Sequence, residues 1–368
     1  MKEPIRILHI TGGLNMGGIE NFLMNIYRKI DTNKIQFDFL IHSKEEQFFE
    51  KEIKEKGGKI YKIPSIREVG YLKYKTELKN FFIDHKEYNI LHSHYNEVTG
   101  IIFDSCDKSR YRIAHSHAAY PKYSNFLVKI FAEYLKYLLR KNTNFRFACS
   151  KEAGEWLYGG DTFKILNNGI DVSKFLFNEK LRTEIRKVLN LNKEEIALVN
   201  VSRLTYQKNH KFLIKIMEKL NNLDKRFKLF LIGDGELELE LKKDIEKKKI
   251  ENIVFLGVKD NINEVLNAMD LFVFPSLSEG LGIVAIEAQS NGLQVLASKN
   301  VPKEADMNVG LFKNIDIIDT DIWIEEILKL TNKVKRSQEE IEIKKILQSS
   351  FNIDKVAKEL EKFYLELE

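Results

Sequence analysis

Apolar residues along the chain fall into short runs rich in β-branched side chains, which alternate with longer stretches where apolar positions recur every three or four residues. Short apolar runs predict buried strands, and the longer period predicts helices with one buried face. Their alternation is typical of parallel α/β architecture. The pattern occurs twice, and the predicted strands are 5–10, 37–41, 60–63, 90–92, 112–114 and 145–148 in the first half and 197–201, 228–232, 253–256, 271–274 and 294–297 in the second.

The length of the chain also predicts two domains. A chain of 368 residues exceeds what one hydrophobic core usually organises, since domains contain roughly 100–200 residues. The turn-forming pair Asn168-Gly169 separates the two halves, so we place the boundary there. We expect one α/β domain over 1–166, a second over 172–351, and a terminal helix within 352–368 that packs back on the first domain.

Composition is that of a folded intracellular protein. The chain is 43% hydrophobic and 31% charged with five prolines, so we expect all of it to fold. It has no run of 18 apolar residues and no signal-peptide pattern, which predicts a cytoplasmic protein. Cys106 and Cys149 have no metal-ligand spacing and are predicted to be reduced thiols.

The segment 274–288 carries the most specific chemistry. A predicted strand ends at Pro275, and Gly280, Leu281 and Gly282 precede a helical run that starts at Ile283. Backbone amides at a helix N-terminus bind anions, and glycine permits close approach of a phosphate. Glu279 and Glu287 flank this turn and can accept hydrogen bonds from hydroxyls. The alternative is that Glu279 caps the helix and that Glu287 is solvated.

This segment resembles the E-x7-E signature of the retaining glycosyltransferases of family 4, which have the GT-B architecture. The resemblance extends to Ser202-Arg203-Leu204 with Lys208-Asn209, to Gly233-Asp234-Gly235 and to Asn168-Gly169-Ile170-Asp171, in the family's order. It covers nearly the whole chain and is most specific over 197–300. It implies two Rossmann-like domains with parallel sheets facing a central cleft, and a nucleotide diphosphate sugar as donor.

The resemblance also implies roles for individual residues. Arg203 and Lys208 would contact the donor diphosphate, which suits a guanidinium and an ammonium at a strand end. Glu287 would hold the ribose hydroxyls, and Glu279 with the following amides would hold the donor sugar. The implied donor-binding positions are Gly17, Gly18, Arg203, Lys208, Gly233, Gly235, Val258, Glu279, Gly280, Leu281, Gly282 and Glu287.

The first half contributes a glycine cluster and paired histidines. Gly12, Gly13, Gly17 and Gly18 follow the first strand, and a βα turn of this kind also needs glycine for geometry alone. In the family this loop faces the donor, which places Glu20 and Asn21 near the acceptor. His92, His94, His115 and His117 follow two apolar runs; the family has a sugar-contacting histidine at this point, and of His115 and His117 we favour His117.

Metal chemistry is not expected. The histidines have no acid spaced with them as a ligand set, and GT-B enzymes generally need no bound metal. Asp319-Thr320-Asp321 matches the D-x-D motif of another glycosyltransferase architecture, but it lies after the donor elements and is predicted to cap a helix. We therefore predict no cofactor beyond the nucleotide-sugar substrate.

Charge is concentrated in the first half, where residues 1–170 contain 27 Lys and Arg against 20 Asp and Glu. Residues 108–146 hold nine basic side chains and one acid, Glu133. The predicted helix 123–141 has more apolar and aromatic residues than one core stripe requires, which favours peripheral contact with an anionic membrane. A broad buried helix face is the alternative, and no nucleic-acid module is present.

The predicted function is transfer of a hexosyl or N-acetylhexosaminyl group from a nucleotide sugar, UDP-linked by expectation, to a lipid-linked or surface-polysaccharide acceptor. Two alternatives remain within the fold: a sugar-nucleotide epimerase, and an inactive module that binds a glycan or a protein partner.

Overall fold

The computed structural model describes residues 3–117, 125–332 and 340–368. It divides into two compact units. The first comprises Met1–Ile170 with Ile353–Glu368, and the second comprises Asp171–Asn352. The final segment of the chain therefore belongs to the unit that the chain begins with.

Thirteen strands lie in the described part of the chain. They are β1 (Ile5–Thr11), β2 (Ile35–Ile41), β3 (Ile60–Lys62), β4 (Ile90–Ser93), β5 (Tyr111–Ser116), β6 (Phe145–Ala148), β7 (Lys164–Ile165), β8 (Ile196–Val201), β9 (Phe227–Ile232), β10 (Ile253–Gly257), β11 (Leu271–Phe274), β12 (Gln294–Ser298) and β13 (Phe312–Ile315). All eleven strands predicted from the sequence are present, each within two residues of its predicted ends.

The α-helices among the described residues fill the intervals. They are α1 (Gly18–Lys29), α2 (Glu50–Glu55), α3 (Ile66–Asp84), α4 (Thr99–Ser105), α5 (Phe126–Asn142), α6 (Lys151–Tyr158), α7 (Glu179–Val188), α8 (His210–Leu223), α9 (Glu238–Lys247), α10 (Ile262–Ala268), α11 (Ile283–Ser290), α12 (Thr320–Thr331), α13 (Glu340–Gln348) and α14 (Ile353–Leu365). Asp319 caps α12 by accepting a hydrogen bond from the Asp321 amide, which confirms the prediction for that triplet.

Each unit is built on one parallel sheet. The strand order is β3-β2-β1-β4-β5-β6-β7 in the first unit and β10-β9-β8-β11-β12-β13 in the second. Helices cover both faces, as parallel sheets require because their strands are buried on both sides. This confirms the predicted architecture of two Rossmann-like domains.

Helix α14 completes the core of the first unit. Ile353, Val356, Leu360 and Tyr364 are buried against the face of the sheet that α1 also covers. The Ile353 amide donates to the Ile170 carbonyl at 2.9 Å, so the returning chain is fixed where the first pass ends.

Helix α5 lies against α4 on the other face of the first sheet. Its Ala132, Leu135, Leu138 and Leu139 are buried. Residues 123–124 of the predicted helix lie outside the described residues, and no helix in the described part of the chain has the length and apolarity needed to cross a bilayer.

The contact between α4 and α5 gives a stability prediction at Gly100. A Cβ added there would lie 2.0 Å from the Leu135 carbonyl oxygen, which is backbone and can move only with its helix. We expect Gly100→Ala to destabilise the protein by about 1–3 kcal/mol through overpacking, seen as a lower urea midpoint in equilibrium unfolding.

Gly160→Ala is the matched control, because a Cβ at Gly160 meets nothing within 4 Å. The two variants carry the same chemical change. Equal midpoints for both would show that the close α4–α5 approach does not limit stability.

Candidate functional site

The second sheet brings three loops of chemical interest to one edge. Strand β8 lies between β9 and β11. The chain adds β9 and β10 on one side of β8 and then adds β11, β12 and β13 on the other side, so the order of strand connections reverses between β8 and β11. Ligands of parallel α/β domains bind outside the carboxyl ends of the strands at such a reversal. The loops that follow β8, β9 and β11 contain Arg203, Gly233 and Glu279 respectively.

Backbone contacts hold the first two of these loops together. The Leu204 amide donates to the Asp234 carbonyl at 2.6 Å, and the Ser202 amide donates to the Ile232 carbonyl at 2.9 Å. Gly233 has a φ of +128°, and a Cβ there would lie 2.2 Å from the Ser202 carbonyl oxygen. The predicted Gly-x-Gly turn is therefore required for this close approach, whatever else the loop binds.

An ion pair joins the loop after β8 to the loop after β11. Lys208 Nζ lies 2.5 Å from Glu279 Oε1, and both side chains are largely buried. The same ammonium lies 5.7 Å from the centre of the Phe274 ring. The sequence singled out both residues but did not predict their pairing, and the N-cap position of α11 is occupied by Gly282 rather than by Glu279.

Hydrogen bonds reinforce this join. Gln207 Nε2 donates to the Ser278 carbonyl at 2.6 Å, and the Leu277 amide donates to the Gln207 carbonyl at 2.8 Å. Asn209 Nδ2 donates to the Pro275 carbonyl at 3.2 Å. Sequence reasoning missed Gln207; its polar side chain between two predicted site residues, Arg203 and Lys208, is the signal that could have indicated it.

Arg203 differs from Lys208 in its environment. Its side chain is exposed and makes no ion pair or hydrogen bond to any residue that the structure describes. A guanidinium at the carboxyl edge of a sheet, with its donors unused by the described residues, is suited to an anionic ligand.

Helix α11 begins at this edge. Gly282 adopts a φ of +87°, a left-handed conformation that glycine takes without strain, and Ile283 is the first helical residue. The first amides of a helix have no partner within the helix, so they point toward any anion placed there. Gly280 and Leu281 lead into this turn, as predicted from the sequence.

Glu287 lies farther along α11 and is only partly exposed. Burial raises the pKa of its carboxyl group to about 8, so the group is largely protonated at neutral pH.

The remaining predicted donor positions also lie along this edge. Val258 is exposed directly after β10, the strand beside β9. Gly235 follows Gly233, and a Cβ at Gly235 would lie 2.5 Å from the Leu204 carbonyl oxygen.

In the first unit, the predicted glycine loop joins β1 to α1. Gly17 is the N-cap of α1 and Gly18 is its first residue. A Cβ at Gly17 would lie 2.3 Å from Glu20 Oε2, and burial raises the pKa of Glu20. Asn21 is exposed on the same helix turn.

The paired histidines of β4 and β5 are buried together. His117 Nδ1 lies 3.1 Å from Asn168 Oδ1, and His117 Nε2 lies 2.8 Å from His94 Nδ1. Burial lowers the pKa of His117 to about 3, against an opposing contribution from Asn168, so the ring is neutral. His115 is more deeply buried, and neither of its ring nitrogens has a hydrogen-bond partner among the described residues.

The basic segment 108–146 is only partly a surface feature. Arg110 and Arg112 are buried, and their guanidinium groups donate to the backbone carbonyls of Phe82 and Asn142. Lys136 is buried beside the Trp156 ring, 4.2 Å from its centre. The sequence could not separate these internal cations from the exposed ones.

Helix α5 exposes mainly apolar side chains, together with Lys129, Glu133 and Lys141. Its N-terminal half presents a row of large side chains to solvent, namely Phe126, Leu127, Val128, Ile130, Phe131, Tyr134 and Tyr137. A broad buried face, the alternative drawn from the sequence, is therefore excluded for these residues. Exposed apolar patches of this kind mark interaction surfaces.

Comparison with known proteins agrees with this arrangement. The sequence model of the family described as "Glycosyl transferases group 1" matches residues 182–339. The protein EpsF of Bacillus subtilis, which is named as a glycosyltransferase, is 30% identical over 334 residues, covering 88% of this chain and 87% of EpsF. A UDP-Gal:α-D-GlcNAc-diphosphoundecaprenol α-1,3-galactosyltransferase of Escherichia coli is 28% identical over 55% of this chain and 54% of its own length.

The fold has solved counterparts. HepE of Anabaena, crystallised with UDP, matches 98% of this chain and all of its own chain with a TM-score of 0.78 and 16% identity. At that identity the likeness shows the fold, which is the GT-B fold expected from the sequence. Together with the extended match to EpsF, these findings show that the chain belongs to the group 1 glycosyltransferases.

Proposed function

We propose that the chain is a retaining glycosyltransferase that moves a hexosyl or N-acetylhexosaminyl group from a UDP-sugar to a lipid-linked or surface-polysaccharide acceptor. The observation that carries the proposal is the edge of the second sheet, where Arg203, the Lys208–Glu279 pair and the start of α11 converge. Cations and amides bind phosphate, and carboxylates accept hydrogen bonds from sugar hydroxyls. This edge therefore has the groups that bind a sugar diphosphate.

Phosphate binding is assigned to Arg203 and Lys208. Arg203 is unpaired among the described residues, whereas Lys208 is neutralised by Glu279 at 2.5 Å. A diphosphate arriving at this edge draws Lys208 toward its oxygens, which frees the Glu279 carboxylate to accept hydrogen bonds from the hydroxyls of the donor sugar. No metal ion is needed in this scheme, because two cations and the α11 amides face the charge.

The transfer step is a front-face displacement. The bond from the anomeric carbon to the β-phosphate oxygen breaks, and the acceptor oxygen forms its bond to the same carbon on the same face. The acceptor hydroxyl gives its proton to the departing phosphate oxygen, and UDP leaves. Arg203 and Lys208 stabilise the negative charge that develops on that oxygen.

Glu287 is assigned to the ribose. Its carboxyl group has a pKa of about 8 because it is buried, and two ribose hydroxyls would donate to the ionised form. The choice of uracil as the base rests on relatives: HepE has been crystallised with UDP and with UDP-glucose, and the E. coli relative is named for UDP-Gal.

In the first unit, the amides of Gly17 and Gly18 at the start of α1 are assigned to the donor side, with Glu20 and Asn21 toward the acceptor. His117 is our preferred contact to the donor sugar, because it lies at the end of β5 and is more exposed than His115. To bind a sugar hydroxyl, one nitrogen of the neutral His117 ring would give up its hydrogen bond to Asn168 or to His94 and bond to the hydroxyl instead.

We assign the acceptor to a membrane surface, which the protein would contact through the exposed face of α5. Lys129, Arg140 and Lys141 are on this helix with its row of exposed apolar residues, a composition suited to an anionic bilayer surface. The E. coli relative acts, by its name, on a diphosphoundecaprenol-linked sugar. A helix lying on the bilayer would bring the enzyme to such an acceptor.

The donor assignment predicts a loss of nucleotide affinity in Arg203→Ala. Hydrogen bonds to charged groups contribute about 1.5–3 kcal/mol, so the Kd for UDP should rise by roughly 10- to 100-fold. Isothermal titration calorimetry with UDP and with UDP-glucose measures it. Arg226→Ala is the matched control, since Arg226 is an exposed arginine that precedes β9 at the opposite edge of the same sheet.

If UDP binds wild type and Arg203→Ala equally, the diphosphate site is misassigned. If UDP, GDP and ADP all fail to bind wild type, the donor class is wrong as well.

Glu287 predicts a pH dependence of stability. Its folded-state pKa of about 8 lies above the ordinary value of 4.5, so folding favours the protonated form. The resulting stabilisation is complete below pH 4.5 and is lost as the pH rises through 8. We expect the Tm of wild type to fall relative to that of Glu287→Gln between about pH 5 and 9, measured by differential scanning fluorimetry.

Saturating UDP should reduce the difference in Tm between wild type and Glu287→Gln at high pH, because the ribose hydroxyls stabilise the carboxylate in wild type. Parallel pH profiles for the two proteins without UDP would contradict the buried state of Glu287.

If the exposed face of α5 contacts a membrane, the protein should bind anionic lipid vesicles. Full burial of a Leu or Phe side chain is worth about 1.5–3 kcal/mol, so Leu127→Ser with Phe131→Ser should reduce partitioning onto phosphatidylglycerol vesicles by at least about 10-fold. Co-sedimentation measures it. Leu72→Ser with Leu223→Ser removes two exposed apolar side chains elsewhere, each more exposed than Phe131, and should leave partitioning unchanged. The same loss in both double variants would show that binding is not specific to α5.

A further inference from the structure

Five imidazoles meet inside the first unit. His9 lies in β1, His92 in β4 and His115 in β5, and His94 and His117 directly follow the latter two strands. Residues two apart in a strand share a face, so both pairs point to the side that α1 and α14 cover. All five side chains are buried, the most exposed at 8%. The sequence indicated four of them, and His9 was missed because it is a lone histidine within an apolar strand.

Hydrogen bonds fix which nitrogens carry protons along part of this cluster. Asn168 Oδ1 accepts from His117 Nδ1, and a neutral imidazole has one proton, so His117 Nε2 accepts from His94 Nδ1. The lone pair of His94 is then on Nε2, which accepts a hydrogen bond from His9 Nδ1 at 3.1 Å; an ion bound there requires the His9 proton to be on Nε2, which has no partner among the described residues. His92 Nδ1 lies 2.6 Å from the Tyr364 hydroxyl.

Several ring nitrogens have no partner. Among the described residues these are His9 Nε2, His92 Nε2 and both nitrogens of His115. A buried polar group without a hydrogen bond destabilises the fold.

We propose that His9, His92 and His94 form a buried site for one d-block metal ion of the zinc class. One ring nitrogen from each lies within 4.8 Å of the others. The 3.1 Å between His9 Nδ1 and His94 Nε2 is close to the roughly 3.3 Å that separates two nitrogens on a tetrahedral zinc ion. Imidazole is a ligand that zinc, copper and nickel accept.

The outer contacts of these rings suit ligation. Metal-bound histidines usually hydrogen-bond through their second nitrogen, which fixes the ring. His92 is held in this way by Tyr364, and His94 is held by His117, leaving Nε2 of each ring for the ion. A second trio, His94 with His115 and His117, has equally close nitrogens, but the 2.8 Å between His94 and His117 is farther from the separation on a tetrahedral ion than the 3.1 Å between His9 and His94.

The ion has a structural and positioning role in this proposal. It joins β1 to β4 and, through the hydroxyl of Tyr364, holds α14 on the sheet. Through His94 it also fixes the tautomer of His117. The inference does not depend on the proposed function, because metal binding can be measured without donor or acceptor.

The test is metal content and reconstitution of the whole chain, purified without a polyhistidine tag. Elemental analysis of wild type should find about one d-block ion per chain. After removal of metal with a chelator, Zn²⁺ should restore a Tm raised by several degrees, and Co²⁺ should give the visible absorption of a tetrahedral nitrogen-ligated ion.

His9→Asn with His92→Asn should lose the ion and the Co²⁺ spectrum. His210→Gln is the matched control, because His210 is a buried histidine of the second unit with one unpartnered nitrogen; it should keep both. Wild type that holds no ion as purified and none after incubation with Zn²⁺ would overturn the proposal, and so would equal metal content in wild type and the double variant. The wild-type measurements decide the matter even if the double variant does not fold.

Discussion

Burial of both faces of a parallel sheet is the constraint on which the rest of this structure depends. A strand covered on both sides has little tolerance for unpaired polar groups, so charged and hydroxyl-binding side chains are confined to the loops at the carboxyl ends of strands. In the second unit, Arg203, Lys208 and Glu279 all follow that rule. The first unit departs from this rule, because Asp38 of β2, Arg112 of β5 and several imidazoles are buried within its sheet, and the imidazoles are of chemical interest because they lie together.

The fold was largely predictable because each strand is a short apolar run. The two strands that were missed lack this signal: β7 has two residues, and β13 reads Phe-Lys-Asn-Ile and is only half-buried. Positions of the site residues were also predictable, since they follow strands in a known order. Pairings were not. Nothing in the local sequence shows that Glu279 meets a lysine 71 residues earlier or that Asn168 reaches a histidine ring.

The basic segment shows the limit of counting charges. Arg110, Arg112 and Lys136 contribute to the positive charge of residues 108–146, yet each is buried, two of them on backbone carbonyls and one on an aromatic ring. Long cationic side chains often serve as internal hydrogen-bond donors in this way. The sequence does not distinguish buried cations from exposed ones. The structure shows that much of the charge of this segment is internal and that its exposed feature is the apolar row of α5.

The place of α14 has a consequence for biosynthesis. Residues 353–368 complete the core of the first unit, yet they are synthesised after the whole of the second unit. Domains usually fold as units while synthesis proceeds, at about 5–20 residues per second. The second unit can therefore finish folding first, while the first waits with the face that receives Val356, Leu360 and Tyr364 uncovered. A nascent chain stalled before α14 would keep this face exposed and would be a substrate for chaperones and proteases, so the first unit becomes stable only once α14 has been synthesised.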